Sequence, residues 1–453
     1  YLQTIIMKNK PSIPKGMRDF NSSEIQKRNY IFKTVKTAFE CYGYVPLETP
    51  AMENISTLSN KYGDEGDRLI FNVLNSGDYL AKKNIDANIS STDLTKNISE
   101  KALRYDLTVP FARFVAQNRN DIDFPFKRYQ MQNVWRADRP QKGRYREFFQ
   151  CDVDIIGTKS LLCEVELVQI YDAVFSSLKI PNVDIRINNR KVLSGMIELM
   201  EELDLFDVIV VTLDKLDKLG LDKVKEELLV KGVKPKSLNI LDDFINASSL
   251  NELSSLLNKT VIGSMGLDEL SFVIDNVSKL GLTSANLVFD ITLARGLSYY
   301  TGCILEVQTN DVSIGAIGGG GRYDNLTANF GLQDVSGVGI SFGVDRIYLV
   351  MSELDLFPKD IVVTTQVMFV NFGVEEANFC LPLLKELRAN GISSELYPTS
   401  AKIKKQMNYA NNKNIQFVIL VGKNEMTSGL LTVKNMFTGE QENLNLSELI
   451  RRI

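Results

Sequence analysis

Between Arg136 and Asp154 the chain sets four arginines, Arg136, Arg139, Arg144 and Arg146, around a Pro140-Gln-Lys-Gly143 turn, then alternates into Gln150, Asp152 and Asp154. Arginines that flank a turn between two strands suit a phosphate, because each guanidinium presents a planar fork of donors to anionic oxygens. A carboxylate a few residues later on one face suits a cationic or N–H-bearing partner. Downstream, Arg295-Gly-Leu-Ser-Tyr-Tyr-Thr-Gly302 and Gly337-Val-Gly-Ile-Ser-Phe-Gly-Val-Asp-Arg346 again set arginine beside glycine-lined backbone. The combination describes a nucleotide site built on strands, with a second small molecule held by carboxylate and tyrosine.

The elements that must position these residues are legible in outline. Asn21-Ser-Ser23 reads as a helix cap, Ile25, Phe32, Val35 and Phe39 follow at helical spacing, and Gly43 ends the helix. Tyr44-Val-Pro-Leu-Glu-Thr-Pro50 carries two prolines, which exclude helix and favour a sheet edge or an interface. Leu103–Val109 alternates like a strand, and Pro110 falls in the first turn of a helix after it. Phe126–Arg136 and Arg146–Ile156 are strands joined by the basic turn. From about Asn188 to Asp275 the texture becomes helical and acidic, with nine lysines against sixteen acids between Lys191 and Asp275. Strand texture resumes at Leu287–Arg295, Cys303–Gln308 and Ser313–Gly319, so the helical stretch reads as an insertion within one antiparallel domain. After a linker at Leu356–Asp360, strands and helices alternate over about 90 residues, the pattern of a small mixed α/β domain. That domain has ten Lys and Arg against eight acids, with Lys402, Lys404 and Lys405 clustered at one helix start. A solvated helix face and an RNA contact explain this cluster equally well.

Composition removes whole classes of chemistry. There is no histidine in the 453 residues, so no Ser-His-Asp triad, histidine base or histidine-ligated metal can form. The five cysteines are scattered without a C-x-x-C pair, which fits free thiols in a reducing cytoplasm better than a zinc site. No apolar run approaches the ~20 residues of a membrane span, and the first residues lack the basic start of a signal peptide. Met7 is a candidate start, with the residues before it an extension. A net charge of −4 leaves nucleic-acid contact to local patches. Gly318-Gly-Gly-Gly321 lacks the strand-then-helix context of a phosphate loop and reads as backbone clearance beside a ligand. Cys151 points away from the Gln150–Asp154 face, into a core.

These residues resemble class II histidyl-tRNA synthetases from Lys10 to the C-terminus. Gly43–Pro50 is similar to the first class II motif, which in that family builds a homodimer interface. Arg136–Gln150 is similar to the second motif and Gly337–Arg346 to the third. Arg295–Gly302, Asp106-Leu-Thr108 and Gln150-x-x-x-Asp154 resemble the histidine-binding elements particular to the family. The resemblance implies an α/β (α+β) chain: an antiparallel-sheet catalytic domain of the class II type with a helical insertion, and a C-terminal mixed α/β anticodon-binding domain. The expected boundaries are an extension at 1–9, catalytic parts at 10–187 and 276–355, an insertion at 188–275, a linker at 356–361 and the last domain at 362–453. The implied reaction activates L-histidine with ATP and Mg²⁺ and transfers it to tRNA(His), in the cytoplasm, without a membrane and without a protein-held metal. Asp106, Leu107, Thr108, Gln150, Asp154, Tyr299 and Tyr300 would bind histidine, the first acceptors taking its ammonium and Asp154 with a tyrosine taking its ring. Arg136 and Arg295 would act on opposite sides of the α-phosphate. Arg346, Glu147 and Phe148 would complete the ATP site, and Arg139 and Gln141 would face the acceptor end of the tRNA. Ser298 departs from the aspartate common at that position.

Each of these has a plainer reading: Asp106 as a strand-end cap, Tyr299 and Tyr300 as a cross-strand aromatic pair. Two rival functions also stand. Synthetase-like regulatory subunits of histidine biosynthesis share the catalytic fold but typically lack the C-terminal domain and degrade the Arg-Gly-Leu-x-Tyr-Tyr element, both present here. A class II synthetase for another amino acid is disfavoured by Asp154 and the tyrosine pair.

Overall fold

Asn21 opens the first helix, Ser22–Cys41, through a reciprocal cap in which its side chain accepts from the Glu24 N–H and Glu24 accepts from the Asn21 N–H. The buried stripe of that helix runs through Arg28, Ile31, Val35 and Phe39, while Ile25 lies on the exposed side. Gly43, at φ +78°, then turns the chain. The computed structural model describes residues 11–80, 88–247, 249–294, 299–359, 361 and 365–453. The expected extension at 1–9 lies outside them. A first unit ends at Phe357 and a second runs from Pro358 to Ile453.

In the first unit β1 (Val45–Pro46) lies at the edge of the main sheet, where Pro46, with no N–H to donate, is accommodated. A small sheet follows: β2 (Met52–Asn54), β3 (Asn72–Val73) and β4 (Lys101–Leu103), ordered β2-β4-β3. The strand expected over Leu103–Val109 therefore ends at Leu103. The cause is local: Asp106 accepts from the Val109 N–H at 3.1 Å and turns the chain into the helix Thr108–Gln117. The main sheet continues with β5 (Phe126–Trp135), β6 (Glu147–Ile156), β7 (Val183–Asn189), β8 (Asn286–Phe289), β9 (Cys303–Thr309), β10 (Gly318–Tyr323) and β11 (Gly337–Gly343). Its order is β1-β5-β6-β11-β10-β9-β7-β8, parallel only at the two ends, β1 with β5 and β7 with β8. The long β5–β6 hairpin sets Arg128 opposite Asp154 and Gln130 opposite Asp152.

Two strand expectations shift. The strand begun at β8 stops at Phe289, because the Asp290 carboxylate accepts from both the backbone and the hydroxyl of Thr292 and folds the chain into a turn. The strand expected over Ser313–Gly319 is displaced to β10, since the Ala316 carbonyl is taken by the Arg346 guanidinium at 2.6 Å. The glycine run is thus a central strand rather than a loop. A Cβ on Gly321 would come within 2.9 Å of the Tyr300 ring. Between β7 and β8 the described residues are helical, from Arg190–Leu199 to Val261–Leu280.

The second unit has a sheet of β12 (Val367–Phe369), β13 (Ser394–Leu396), β14 (Phe417–Leu420), β15 (Leu431–Asn435) and β16 (Gln441–Leu444), ordered β13-β12-β14-β15-β16. Alternate residues of its central strands feed two cores: Val367, Phe369, Phe417 and Ile419 one, Met368 and Val418 the other. Helix Val374–Ala389 covers the first core with Cys380, Leu384 and Leu387. The helix Lys423–Ser428 and β16 are elements the sequence pattern does not announce; β16 is a polar, exposed edge with no alternation to read. The fold is therefore the α+β arrangement expected, an antiparallel-rich sheet with a helical insertion and a separate mixed α/β unit. Among the described residues the five cysteines are free, and no helix is long and apolar enough to cross a membrane.

Candidate active site

The basic turn is a tight hairpin. Gln141 and Arg144 exchange both backbone hydrogen bonds, at 3.1 and 2.9 Å, leaving Lys142-Gly143 as a two-residue loop with Gly143 at φ +71°. Buried Asp138 ties it down, accepting from Arg144 Nη2 at 2.8 Å on its carboxylate and from Arg146 Nε at 3.0 Å on its carbonyl. Arg136 Nε donates to the Tyr105 carbonyl at 3.0 Å, and its guanidinium lies 4.3 Å from the Tyr105 ring centroid and 5.2 Å from that of Phe148. This wedging orients the guanidinium toward a cavity of about 540 Å³. Arg346, in the first turn of helix Val344–Glu353, reaches the same cavity and donates to the carbonyls of Gly143 and Ala316. Its neighbour Asp345 holds a buried ion pair with Arg28 at 2.5 Å and accepts from the Phe149 N–H. The third motif is in this way fastened to the second.

The opposite wall is one face of β6. Phe148, Gln150, Asp152 and Asp154 line the cavity, while Cys151 and Val153 are fully buried in the core behind. Gln150 donates to Ser341 Oγ at 2.8 Å, and its own carbonyl oxygen has no donor. Asp154 accepts from the Tyr323 hydroxyl at 2.7 Å and lies 2.8 Å from Arg128 Nη2, an ion pair with both side chains essentially out of water. A Cβ at residue 339 would fall 1.9 Å from Asp154 Oδ1, so only glycine on β11 leaves the carboxylate its place. Asp106 accepts from the Tyr62 hydroxyl at 3.0 Å, the Tyr299 hydroxyl at 3.2 Å and the Val109 N–H. Asp106 therefore is a cap, and also a cavity wall.

Burial sets the electrostatics. Desolvation raises the Asp106, Asp152 and Asp154 carboxyls above the ordinary range. Around Asp106 the Val109 N–H and Arg136 oppose the rise; around Asp154, Arg128 and Tyr323 do. Asp152, with neighbouring Asp154 adding to its burial, is pushed up to about 7. Desolvation also drives Tyr62, Tyr299 and Tyr323 well above the usual tyrosine value, so they act as hydrogen-bond donors.

Of the residues nominated by sequence, Asp106, Thr108, Gln150 and Asp154 line this one cavity, with Tyr299 and Tyr300 beside them. Arg136, Gln141, Phe148 and Arg346 line it as well. Leu107 instead is fully buried, and its carbonyl accepts from Arg128 at 3.3 Å. Glu147 is absent from the lining: alternation turns it from the Phe148 face, and it accepts from Asn133 at 3.1 Å. Arg139 is exposed on the hairpin and is not in the lining either. Arg295 and Ser298 lie outside the described residues. Sequence reasoning passed over Asp152, although the period of two between Gln150 and Asp154 already places it on the wall. It also missed Tyr323, the tyrosine that meets Asp154, and Arg128, whose only signal was a charge in a strand otherwise bound for the core. Leu213 and Asp214 bring the helical segment to the cavity rim, a placement no local pattern encodes. Among the described residues no three His, Cys, Asp or Glu side chains are grouped to hold a metal.

Comparison with known proteins gives the same picture along the whole chain. Residues 16–347 match the family model described as histidyl-tRNA synthetase, and residues 366–453 one described as an anticodon binding domain. The histidine–tRNA ligase of Christiangramia forsetii is 54% identical over 98% of this chain and 99% of its own length. That of Porphyromonas gingivalis is 55% identical over 96% of this chain and 97% of its own. Among solved structures, histidyl-tRNA synthetase from Nostoc sp. superposes with a TM-score of 0.78 at 30% identity, covering 98% of this chain and 100% of that one. With the family model spanning well over half of its length, this chain belongs to the histidyl-tRNA synthetase family.

Proposed function

We infer that this chain is an aminoacyl-tRNA ligase that activates L-histidine with ATP and transfers it to tRNA(His). What carries the reading is the relation to histidine–tRNA ligases across nearly the full chain, both units included. The regulatory-subunit alternative is not favoured, because the second unit is present and matches an anticodon binding domain.

In the first step a carboxylate oxygen of histidine bonds to the α-phosphorus of ATP, and the bond to the β-phosphate bridging oxygen breaks, releasing pyrophosphate. In the second a terminal ribose hydroxyl takes the acyl group and AMP leaves. Such chemistry rests on positioning and on charge stabilisation around phosphorus. We assign Arg136 to the α-phosphate and the attacking carboxylate, and Arg346 with Phe148 to the nucleotide; their support is a shared cavity and guanidiniums fixed by backbone carbonyls. Arg295 remains part of the proposal on the strength of its motif alone. Asp106, Thr108 and Gln150 are assigned to the α-ammonium, Asp154 and the tyrosines to the ring. Glu147, Leu107 and Arg139 keep their proposed roles only through their positions next to these groups. Mg²⁺ is proposed to arrive with ATP, its ligands mainly phosphate oxygens. The domain boundaries given from sequence, the cytoplasmic location and the homodimer are proposed on the same family basis; the exposed Val45 and Met52 near the sheet edge support an interface there.

Histidine-dependent exchange of pyrophosphate into ATP, followed by charging of tRNA(His), tests the reading. Exchange without tRNA charging, or none with histidine, would overturn it.

A further inference from the structure

The two carboxylates that the sequence nominates for the amino acid are both already engaged. Asp106 takes three donors, and Asp154 takes Tyr323 and faces Arg128. Between Gln150 and Asp154 on β6 stands Asp152, 3% exposed, lining the cavity, with Oδ1 lacking any hydrogen-bond donor. The Gln150 carbonyl oxygen, one strand period away on the same face and also buried, is equally without one. Orphaned acceptors in a dry wall are costly unless a donor arrives. The charge balance has the same sense: three buried carboxyl groups, Asp106, Asp152 and Asp154, share two buried guanidiniums, Arg128 beside Asp154 and Arg104, whose charge acts on Asp152. Both deficits, of donors and of positive charge, are met by a ligand cation carrying several N–H bonds.

We propose that Asp152 Oδ1, together with Gln150 Oε1, receives the α-ammonium group of the amino-acid substrate, making Asp152 a binding and specificity residue of this site. This rests on the amino-acid-activating function inferred above. The groups acting on Asp152 are Arg128 from β5, Arg104 from just after β4, Asp154 on its own strand, Asp106 from the loop before helix Thr108–Gln117, and, from β11, the neutral Ser341. Asp152, pushed up to about 7 by burial, gives up a fraction of a proton when an ammonium settles beside it.

The test is calorimetry on wild type and Asp152→Asn with three probes: L-histidine, histidinol, which keeps the ammonium, and imidazolepropionate, which keeps the ring and carboxylate but lacks it. The variant is expected to lose roughly 10- to 100-fold affinity for the first two, the span of one charge-assisted hydrogen bond, and less than about twofold for the third. Equal losses for all three, or none, overturn the assignment. Wild-type titrations at pH 7 in two buffers of different ionisation enthalpy give a readout that does not depend on the variant folding. Proton release with histidine but not with imidazolepropionate is expected; no release with either overturns the proposal. If the wild type binds no histidine at all, the functional reading fails instead.

Discussion

The hairpin from Arg136 to Arg146 and the β6 wall that follows it are adjacent in sequence yet solve opposite problems. The hairpin is donor-rich and partly wet, and its arginines are held by backbone carbonyls and by Asp138. The wall is acceptor-rich and buried, and three of its oxygens, on Gln150, Asp152 and Asp154, lack a hydrogen-bond donor, the last lying beside the Arg128 guanidinium. A cation-bearing amino acid satisfies the wall, a polyphosphate satisfies the hairpin, and the carboxylate-to-phosphorus bond forms where the two meet. The difference also separates fixed groups from unsatisfied ones. Donors aimed at phosphate can be fastened beforehand, because a guanidinium has five N–H bonds to divide between scaffold and ligand.

The largest effect should come from the hairpin side. Arg136→Ala removes a preorganised charge at the phosphorus and is expected to lower the pyrophosphate-exchange rate by ~10²- to 10³-fold, with a smaller loss of histidine affinity through the attacking carboxylate it also meets. A loss confined to histidine binding would place Arg136 with the wall and break the contrast. On the wall side, Arg128→Met leaves Asp154 buried without its cation, a kind of break that costs ~3–5 kcal/mol. Chemical denaturation should register it, and a change under about 1 kcal/mol would mean that Arg128 does not compensate these carboxylates.

Asp152→Asn sharpens the contrast through stability. In the folded protein, burial and then the neighbouring Asp154 push the Asp152 carboxyl up to about 7, against ~3.9 in an unfolded chain. Between those values the folded state binds the extra proton, so wild-type stability falls as pH rises through the window. Asparagine has no proton to lose. The variant should therefore melt above the wild type at pH 8, by a few degrees, and the gap should close below about pH 4. A gap independent of pH would show that Asp152 is not a strained acid. A residue that binds substrate at the expense of resting stability is what a functional site predicts.

How far the sequence disclosed this contrast depends on whether the information is local. Alternation at Phe148, Gln150, Asp152 and Asp154 put the wall on one face, and the glycine-bearing turn announced the hairpin. Helix Ser22–Cys41 was legible because its cap is local, and helix Val374–Ala389 because Cys380, Leu384 and Leu387 keep helical spacing across Pro382. The failures are long-range. Arg128 and Tyr323 join Asp154 across 26 and 169 residues, and nothing near either residue in the chain announces that contact. Glu147 is named for its place beside Phe148, and its pairing with Asn133 across the hairpin is a contact that its own neighbourhood in the chain does not announce. The strand expected to run to Arg295 ended early because one carboxylate, Asp290, captured the backbone.

The smallest effect tests whether the hairpin's shape depends on its charges. Arg144 pairs with Asp138 at 2.8 Å, but its side chain is 47% exposed, and half-exposed pairs contribute little once water and salt screen them. The turn itself is closed by the two Gln141–Arg144 backbone bonds and by a glycine at positive φ, neither of which needs the guanidinium. Arg144→Gln should therefore change unfolding stability by less than ~0.5 kcal/mol and be insensitive to salt. Gly143→Val, which keeps every charge but places a β-branched residue at φ +71° and crowds Ile314 and Arg346, should be the more damaging of the two. If the order came out reversed, the hairpin would be an electrostatic structure, and its arginines would be committed to holding the turn rather than free to meet phosphate.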